Sequence, residues 1–167
     1  INSVYGRGST GRIVSELGKT VEENGGEYKV AYGRGKKNDD EHCYYIGNKI
    51  NVYTHALLSR ITDKTGFYSK SATKRLIRFI RGYAPDIIHL HNLHGYYINV
   101  EMLFDWIKSR PEMEIRWTLH DCWAFTGHCS HYTFHKCYKW QKQCEACPQV
   151  ERYPSSWGRD GSKQNYI

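Results

Sequence analysis

Long apolar runs are missing from this chain of 167 residues. Its longest stretches of consecutive apolar side chains are a few residues, where a bilayer-crossing helix needs roughly twenty. The chain also does not open on the charged-then-apolar pattern of a secretory signal. The expectation is a soluble or membrane-peripheral protein of the cytoplasm. Cysteine is almost absent from the first 121 residues, with Cys43 alone there, while five of the six cysteines crowd between Cys122 and Cys147. That spacing, in a chain longer than a typical disulfide scaffold, points to reduced thiols. Acidic side chains are the scarcer charge, 17 against 24 Lys and Arg for a formal +7. The excess favours anionic partners without choosing among them. No internal repeat or low-complexity tract is present. An apolar share of 40% with 14% aromatics excludes disordered and collagen-like classes. The length suits one compact domain.

Several fingerprints are absent, and each absence closes a function class. No Gly-Lys-Ser/Thr follows the first glycine loop, so a Walker-type phosphate loop is excluded. No serine sits in a GxSxG elbow, which removes a serine hydrolase. A dinucleotide site for NAD wants an acid at the end of the second strand, yet Tyr32-Gly33-Arg34 stands there. An NADP-dependent oxidoreductase reading through Arg34 stays open as an alternative. No recognition motif accompanies the positive charge, so nucleic acid is not an expected partner.

What is present is an alternation of strand and helix signals. Ile1-Asn2-Ser3-Val4 reads as the tail of a strand, which suggests a piece of a longer protein. A glycine loop follows, then a helix with Ile13, Val14, Leu17 and Val21 on one face. Asn24-Gly25-Gly26 ends that helix, and Tyr28–Tyr32 is a second strand. After a polar stretch with a short strand near Tyr44-Tyr45-Ile46, helices are expected at about 51–61 and 67–82. Ile87–Leu90 is a buried strand, Tyr97–Ser109 a helix stopped by Pro111, and Ile115–Leu119 another strand. A Cys/His-rich loop occupies 120–150. The pattern predicts an α/β fold with a Rossmann-like, doubly wound parallel sheet over residues 1–150, and a linker or the start of a further region at 151–167.

Ligands of such sheets bind beyond the carboxyl ends of the strands. Three of those ends carry polar chemistry: Gly6 to Arg12, His91-Asn92-Leu93-His94-Gly95, and His120-Asp121. Gly6, Gly8 and Gly11 formally spell GxGxxG, which allows close backbone approach to an anion, with Ser9 or Thr10 as expected helix N-cap. The competing reading is a turn that merely caps the helix. His120 follows a strand directly and could meet a substrate hydroxyl, or be a packed histidine without chemistry. His89 and His91 alternate along one strand, so one of them at most faces the crevice, and His91 is preferred.

Cys129, Cys137, Cys144 and Cys147 are candidate ligands for a structural zinc. Cys144-Glu145-Ala146-Cys147 has the C-x2-C spacing that grips one ion from a single turn. Cys122 or a histidine could replace one of the wider pair. Free thiols are the alternative, and a zinc-stapled interaction module without catalysis is a further reading of the chain. No catalytic metal is expected. Lys70, Lys74, Arg78 and Arg81 share one helical face, either an ordinary solvated face or a surface for anionic lipid.

Val4–Ile13, His89–Asn99 and the run Trp117-Thr118-Leu119-His120-Asp121-Cys122-Trp123-Ala124-Phe125-Thr126-Gly127-His128-Cys129 together resemble the amino-terminal half of bacterial family 4 glycosyltransferases of capsular and exopolysaccharide pathways. The resemblance implies a GT-B architecture, two Rossmann-like domains facing across a cleft. It implies retaining transfer of a sugar from a nucleotide-diphosphate sugar to a glycan or lipid-linked acceptor. By the same resemblance Gly8, Ser9, Thr10, Gly11 and Arg12 would approach the donor phosphates. His120 would be the catalytic-site histidine beside the transferred sugar, His91, Asn92 and Asp121 would line the acceptor side, and the basic helix would face the inner membrane. The carboxyl-terminal donor domain of that family has no counterpart in these 167 residues, so the expectation is that this chain alone does not transfer sugar.

Overall fold

Strands and helices succeed one another through the first 117 residues, with two strands and then two helices running in sequence between Val30 and Tyr83. The computed structural model of the protein describes residues 1–165. It runs α1 (Gly8–Glu23), β1 (Val30–Tyr32), β2 (Cys43–Tyr45), α2 (Lys49–Thr62), α3 (Lys70–Tyr83), β3 (Ile87–Leu90), α4 (Val100–Lys108) and β4 (Glu114–Trp117). Three short 3-10 turns follow at Trp123–Phe125, Tyr132–His135 and Lys139–Gln141, and α5 (Ser162–Asn165) closes the described chain.

All strand pairing is parallel. Val30 lies opposite Cys43 and Tyr32 opposite Tyr45; Ile87 lies opposite Glu114 and Leu90 opposite Trp117. The expected single sheet is here two sheets of two strands each. Among the described residues, backbone bonds through Ile1 and Asn2 join the two. Asn2 bridges to Tyr32 and donates its N–H to the Ala31 carbonyl at 3.0 Å. On the other side the Ile1 amine donates to the His89 carbonyl at 2.6 Å, and the His91 N–H donates to the Ile1 carbonyl at 2.9 Å. The strand expected over residues 1–4 is therefore a two-residue contact, because Ser3 already leaves the ladder and accepts from the Gly33 and Arg34 amides at a turn.

Helix starts also differ from the periodic pattern, for local reasons. α1 begins at Gly8 with Arg7 in the capping position and no side-chain cap bond, so Ser9 and Thr10 lie in the first turn and do not cap it. α3 starts at Lys70 because Ser69 sits in the left-handed region at φ 59°. α4 starts at Val100, where the Asn99 side-chain oxygen accepts the Met102 N–H at 2.8 Å. Upstream, Tyr96 at φ 66° and Gly95 at φ 138° keep that segment out of the helix.

α3 and α4 present Ala72, Leu76 and Leu103, each 0% exposed, to a core that also holds Leu90 and Ile98. Each such leucine contributes about 1.5–3 kcal/mol on burial. The opposite face of α3 leaves Lys70, Lys74, Arg78 and Arg81 in solvent.

Residues 151–165, read from sequence as a linker or the start of something further, pack back on the domain. The Trp157 N–H and the Ser156 hydroxyl both donate to the Arg60 carbonyl at the end of α2. The Gly161 N–H donates to an Asp63 carboxylate oxygen at 2.7 Å. Pro154, Ser156 and Ser162 are buried. The remainder of the supposed linker, residues 166–167, lies outside the described residues.

Candidate functional site

Strand ends place the polar loops side by side, and Asn2 and Ser3 are where they meet. Asn2, 0% exposed, accepts the Asn92 N–H on its side-chain oxygen at 3.3 Å. Ser3 takes the amides at the end of β1, and a Cβ on Gly95 would lie 3.2 Å from that of Ser3. At one edge the structure thus gathers the exit of the first segment, Gly33-Arg34 after β1, and His91–Gly95 after β3.

The loop after β4 joins them through two histidine contacts. His91 Nδ1 lies 3.0 Å from His120 Nε2, so one ring donates and the other accepts. Burial, with the positive charges of the Ile1 amine, His89 and His120 behind it, pushes the His91 pKa down to about 3. His91 is therefore a neutral imidazole at any physiological pH. Its carbonyl also accepts the Trp117 indole N–H at 3.0 Å. His89, two positions away and so on the same side of the strand, sets its ring 4.2 Å from that of His91 and pairs with the Thr118 hydroxyl at 2.8 Å; the expectation that alternation separates the two is not met, and it is the contact with His120 that distinguishes His91.

His94 Nε2 and Asp121 Oδ2 lie 2.5 Å apart, a contact that sequence reasoning did not pick out. Burial lowers the pKa of His94, Asp121 pulls against it, and Arg34 and His131 add to the lowering. The other Asp121 oxygen accepts the Trp123 N–H at 3.0 Å. Both carboxylate oxygens are thus engaged within the protein, which makes Asp121 a support for His94 and for the Trp123 turn. Tyr153, from the carboxyl-terminal segment, completes the group: its hydroxyl lies 3.2 Å from His94 Nδ1, and the charge of Arg34 opposes the rise that burial gives its pKa. Asn92 gives its carbonyl to the Tyr97 hydroxyl at 2.7 Å.

Gly8, Ser9, Thr10 and Gly11 form the first turn of α1, whose amides have no intrahelical acceptor. Gly6 and Gly8 both sit at φ 63°, where a side chain would strain the backbone. Gly11 is buried against the preceding chain, and a Cβ there would stand 3.1 Å from Val4 Cγ2. Gly8, Ser9 and Arg12 are exposed, and no acidic residue occupies this first turn. An anion would meet backbone N–H groups at the positive end of a helix of 16 residues.

The cavity lined by His91, His94, His120 and Asp121 is only about 10 Å³. The rim is therefore a shallow polar surface. The larger cavities lie elsewhere, about 610 Å³ between α1 and α3 and about 350 Å³ beside α4, Trp117 and Trp123.

Buried hydrogen bonds tie the cysteine-rich loop to the domain. His128 Nδ1 and Asp63 Oδ1 lie 2.6 Å apart with both side chains almost wholly buried, and the Gln149 side chain donates to the His131 carbonyl at 2.9 Å. Cys129, Cys137, Cys144 and Cys147 do line one cavity of about 10 Å³. All six thiols are free. Among the described residues no three His, Cys, Asp or Glu side chains are arranged to hold a metal ion. The two neighbouring thiols Cys129 and Cys147 act on each other, Cys147 holding the Cys129 thiol below its ordinary pKa and Cys129 holding that of Cys147 above it.

Among the described residues no helix is long and apolar enough to cross a membrane. The sequence is similar to WcaC of Escherichia coli (strain K12), a glycosyl transferase assigned to colanic acid biosynthesis, at 26% identity over an alignment of 136 positions that covers 76% of this chain. The matched region is 33% of that protein, so the chain spans about a third of its relative's length. No family model matches the chain, and no solved structure matches it. The likeness to WcaC bears out the glycosyltransferase resemblance carried by the rim motifs.

Proposed function

We propose that this chain is the acceptor-side part of a retaining glycosyltransferase of GT-B architecture. In this reading it moves a sugar from a nucleotide-diphosphate sugar to a glycan or lipid-linked acceptor in surface polysaccharide synthesis. One observation carries the reading: the ends of β3 and β4 are tied by the His91–His120 contact at 3.0 Å, at the same edge from which the glycine loop leaves. In the transfer the bond from the anomeric carbon to the diphosphate oxygen breaks and a bond to the acceptor oxygen forms. The exposed amides of Gly8, Ser9 and Thr10, with Arg12 one turn on, suit the charge left on the departing diphosphate. His120, half-exposed and oriented by neutral His91, offers a ring nitrogen to a hydroxyl of the sugar or acceptor. Asn92 lies beside it on the acceptor side, and Asp121 acts by holding His94. The exposed Lys70, Lys74, Arg78 and Arg81 face suits an anionic membrane surface on which a lipid-linked acceptor resides.

The test is sugar transfer by the enzyme that carries this chain together with a donor-binding half. His120→Ala should lower kcat by a hundredfold or more with little change in the thermal midpoint. Retention of full activity would refute the assignment. The 167-residue chain alone should turn over no nucleotide sugar.

The zinc staple is a second, structural part of the proposal. It is supported by the gathering of Cys129, Cys137, Cys144 and Cys147 around one small cavity, and their side chains would have to re-orient into a ligand set to take a cation. Reduced protein given zinc should hold one equivalent, lost in Cys144→Ser. No uptake by the reduced chain would refute it.

A further inference from the structure

Beside the rim lies the cavity of about 350 Å³, which the transfer chemistry does not use. Its walls are aromatic. Phe104 of α4 and Trp117 of β4 line it with ring centres 5.3 Å apart, and Phe67, Trp123 and Phe125 add their rings from the loops. Phe125 is 37% exposed, while Phe104, Trp117 and Trp123 are half-buried, so these rings keep surface for a ligand. The walls are also fixed in place. The Trp117 indole N–H donates to the His91 carbonyl at 3.0 Å, and the Trp123 backbone N–H is held by Asp121. The Trp123 ring lies so close to Gly66 that a Cβ there would stand 3.0 Å from its Cη2, and the Gly66 carbonyl accepts the Val100 N–H at 2.7 Å. A ligand entering such a site has little of the protein to order.

Polar groups reach the cavity from one side. Glu101, Asp105 and Lys108 line it from α4, are exposed, and at spacings of four and three share one helical face. Among the described residues none of the three forms an ion pair. Asp63 also lines the cavity, but both of its oxygens are engaged elsewhere.

This chemistry selects among ligands. An aliphatic chain has no use for two carboxylates, and an anion is repelled by them. A small cation suits the rings and the carboxylates but meets Lys108. A neutral pyranose matches every group: its C–H face, slightly positive, suits the negative faces of the aromatic rings, while its hydroxyls donate to Glu101 and Asp105 and accept from Lys108. The volume falls at the lower end of the about 300–1,000 Å³ of small-molecule pockets. Trp117, Trp123 and Ala124 also line the small rim cavity of His91, His94, His120 and Asp121. A ring seated in the larger cavity is therefore next to the rim without occupying it.

We propose that this cavity seats one neutral sugar ring of the acceptor, a unit that does not itself react, which makes the acceptor an oligosaccharide and not a lipid phosphate without sugar. The part played in transfer rests on the glycosyltransferase reading; the affinity of the cavity for a sugar does not.

The test titrates the 167-residue chain with cellobiose, lactose and maltose, and separately with tetramethylammonium, and follows the tryptophan indole N–H signals by NMR. At least one disaccharide should move the signals of Trp117 and Trp123 and leave those of Trp106 and Trp157 in place. Phe104→Ala and Asp105→Ala should each weaken that binding about fivefold. The second changes an exposed side chain, so it still reports on the site where the first disturbs the core. No shift with any of the three sugars would overturn the proposal. So would shifts with tetramethylammonium alone, or sugar binding that both variants retain in full. In the enzyme that also carries a donor-binding half, Asp105→Ala should raise the KM for an oligosaccharide acceptor about fivefold, and an unchanged KM would overturn the acceptor role. The titration contains no donor, so its failure removes the sugar site and leaves the His120→Ala test standing. Full activity of His120→Ala would instead remove the transfer reading and leave the sugar site.

Discussion

Replacing Asp63 by alanine tests what holds the cysteine-rich loop and the carboxyl-terminal segment to the domain. Asp63 is 2% exposed and sits at φ 56° just past α2. One carboxylate oxygen meets His128 Nδ1 at 2.6 Å and the other accepts the Gly161 N–H at 2.7 Å. Breaking a buried charged pair costs about 3–5 kcal/mol, and stranding a buried N–H costs about 1–3 kcal/mol more. His128 can shed its proton once the carboxylate is gone, so the lower end, about 3 kcal/mol, is the expected loss. For a chain of this size that lowers the thermal midpoint by about 6–12 °C. The loss should depend on pH. Burial works against the charged His128 ring, but the hydrogen bond and charge of Asp63 outweigh it and raise the pKa above its ordinary value. A raised folded-state pKa contributes stability that is complete below the unfolded value of about 6.5 and is lost as pH rises through the folded value. The gap between the parent chain and Asp63→Ala should therefore be widest near about pH 6 and narrow towards about pH 9. Asp63→Asn, which retains an acceptor for Gly161, isolates the ionic share. Circular dichroism melts at the two pH values decide the matter. A midpoint within about 2 °C of the parent, less than a 1 kcal/mol loss would give, or a gap of equal size at both pH values, would refute the reasoning.

Three further outcomes follow from the same geometry. Gly33→Ala should destabilise by about 3 kcal/mol, because its Cβ would overlap the Tyr97 ring that is itself pinned to Asn92, and urea melts would show it. Asp121→Asn should lower the His94 pKa further, since the carboxylate is what opposes the lowering by burial, and a histidine-resolved NMR titration reads this directly. His91, with a pKa of about 3, should show no titration between about pH 5 and 8 in the same experiment, so a midpoint within the usual histidine range would contradict its placement.

Much of the layout was legible because it is written in short-range patterns. The 3.6-residue period of Leu76 and Ile80 and the apolar run Ile87–Leu90 mark elements whose neighbours in space are also near in sequence. Period two does not separate His91 from His89, whose rings share a side of the strand 4.2 Å apart; only the contact with His120 does. Helix starts were less legible, because Ser69 and Asn99 set them through backbone angle and side-chain capping, which hydrophobic periodicity does not encode. The rim motifs, with their resemblance, named His91, Asn92, His120 and Asp121 correctly as neighbours. They did not show that Asp121 spends both oxygens inside the protein, or that His94 is its partner.

By itself the sequence determined the alternation of elements, the polar strand ends and the kinship of the rim motifs, since each depends on residues a few positions apart. Tertiary structure alone decided which of those groups touch. His94 meets Asp121 across 27 positions and Tyr153 across 59, and Asp63 reaches His128 across 65 and Gly161 across 98. It also split the parallel strands into two sheets with an open slot between them. Contacts so distant in the chain form only when packing of the core repays the loss of chain entropy, and no local pattern of side chains records which pairs that packing brings together.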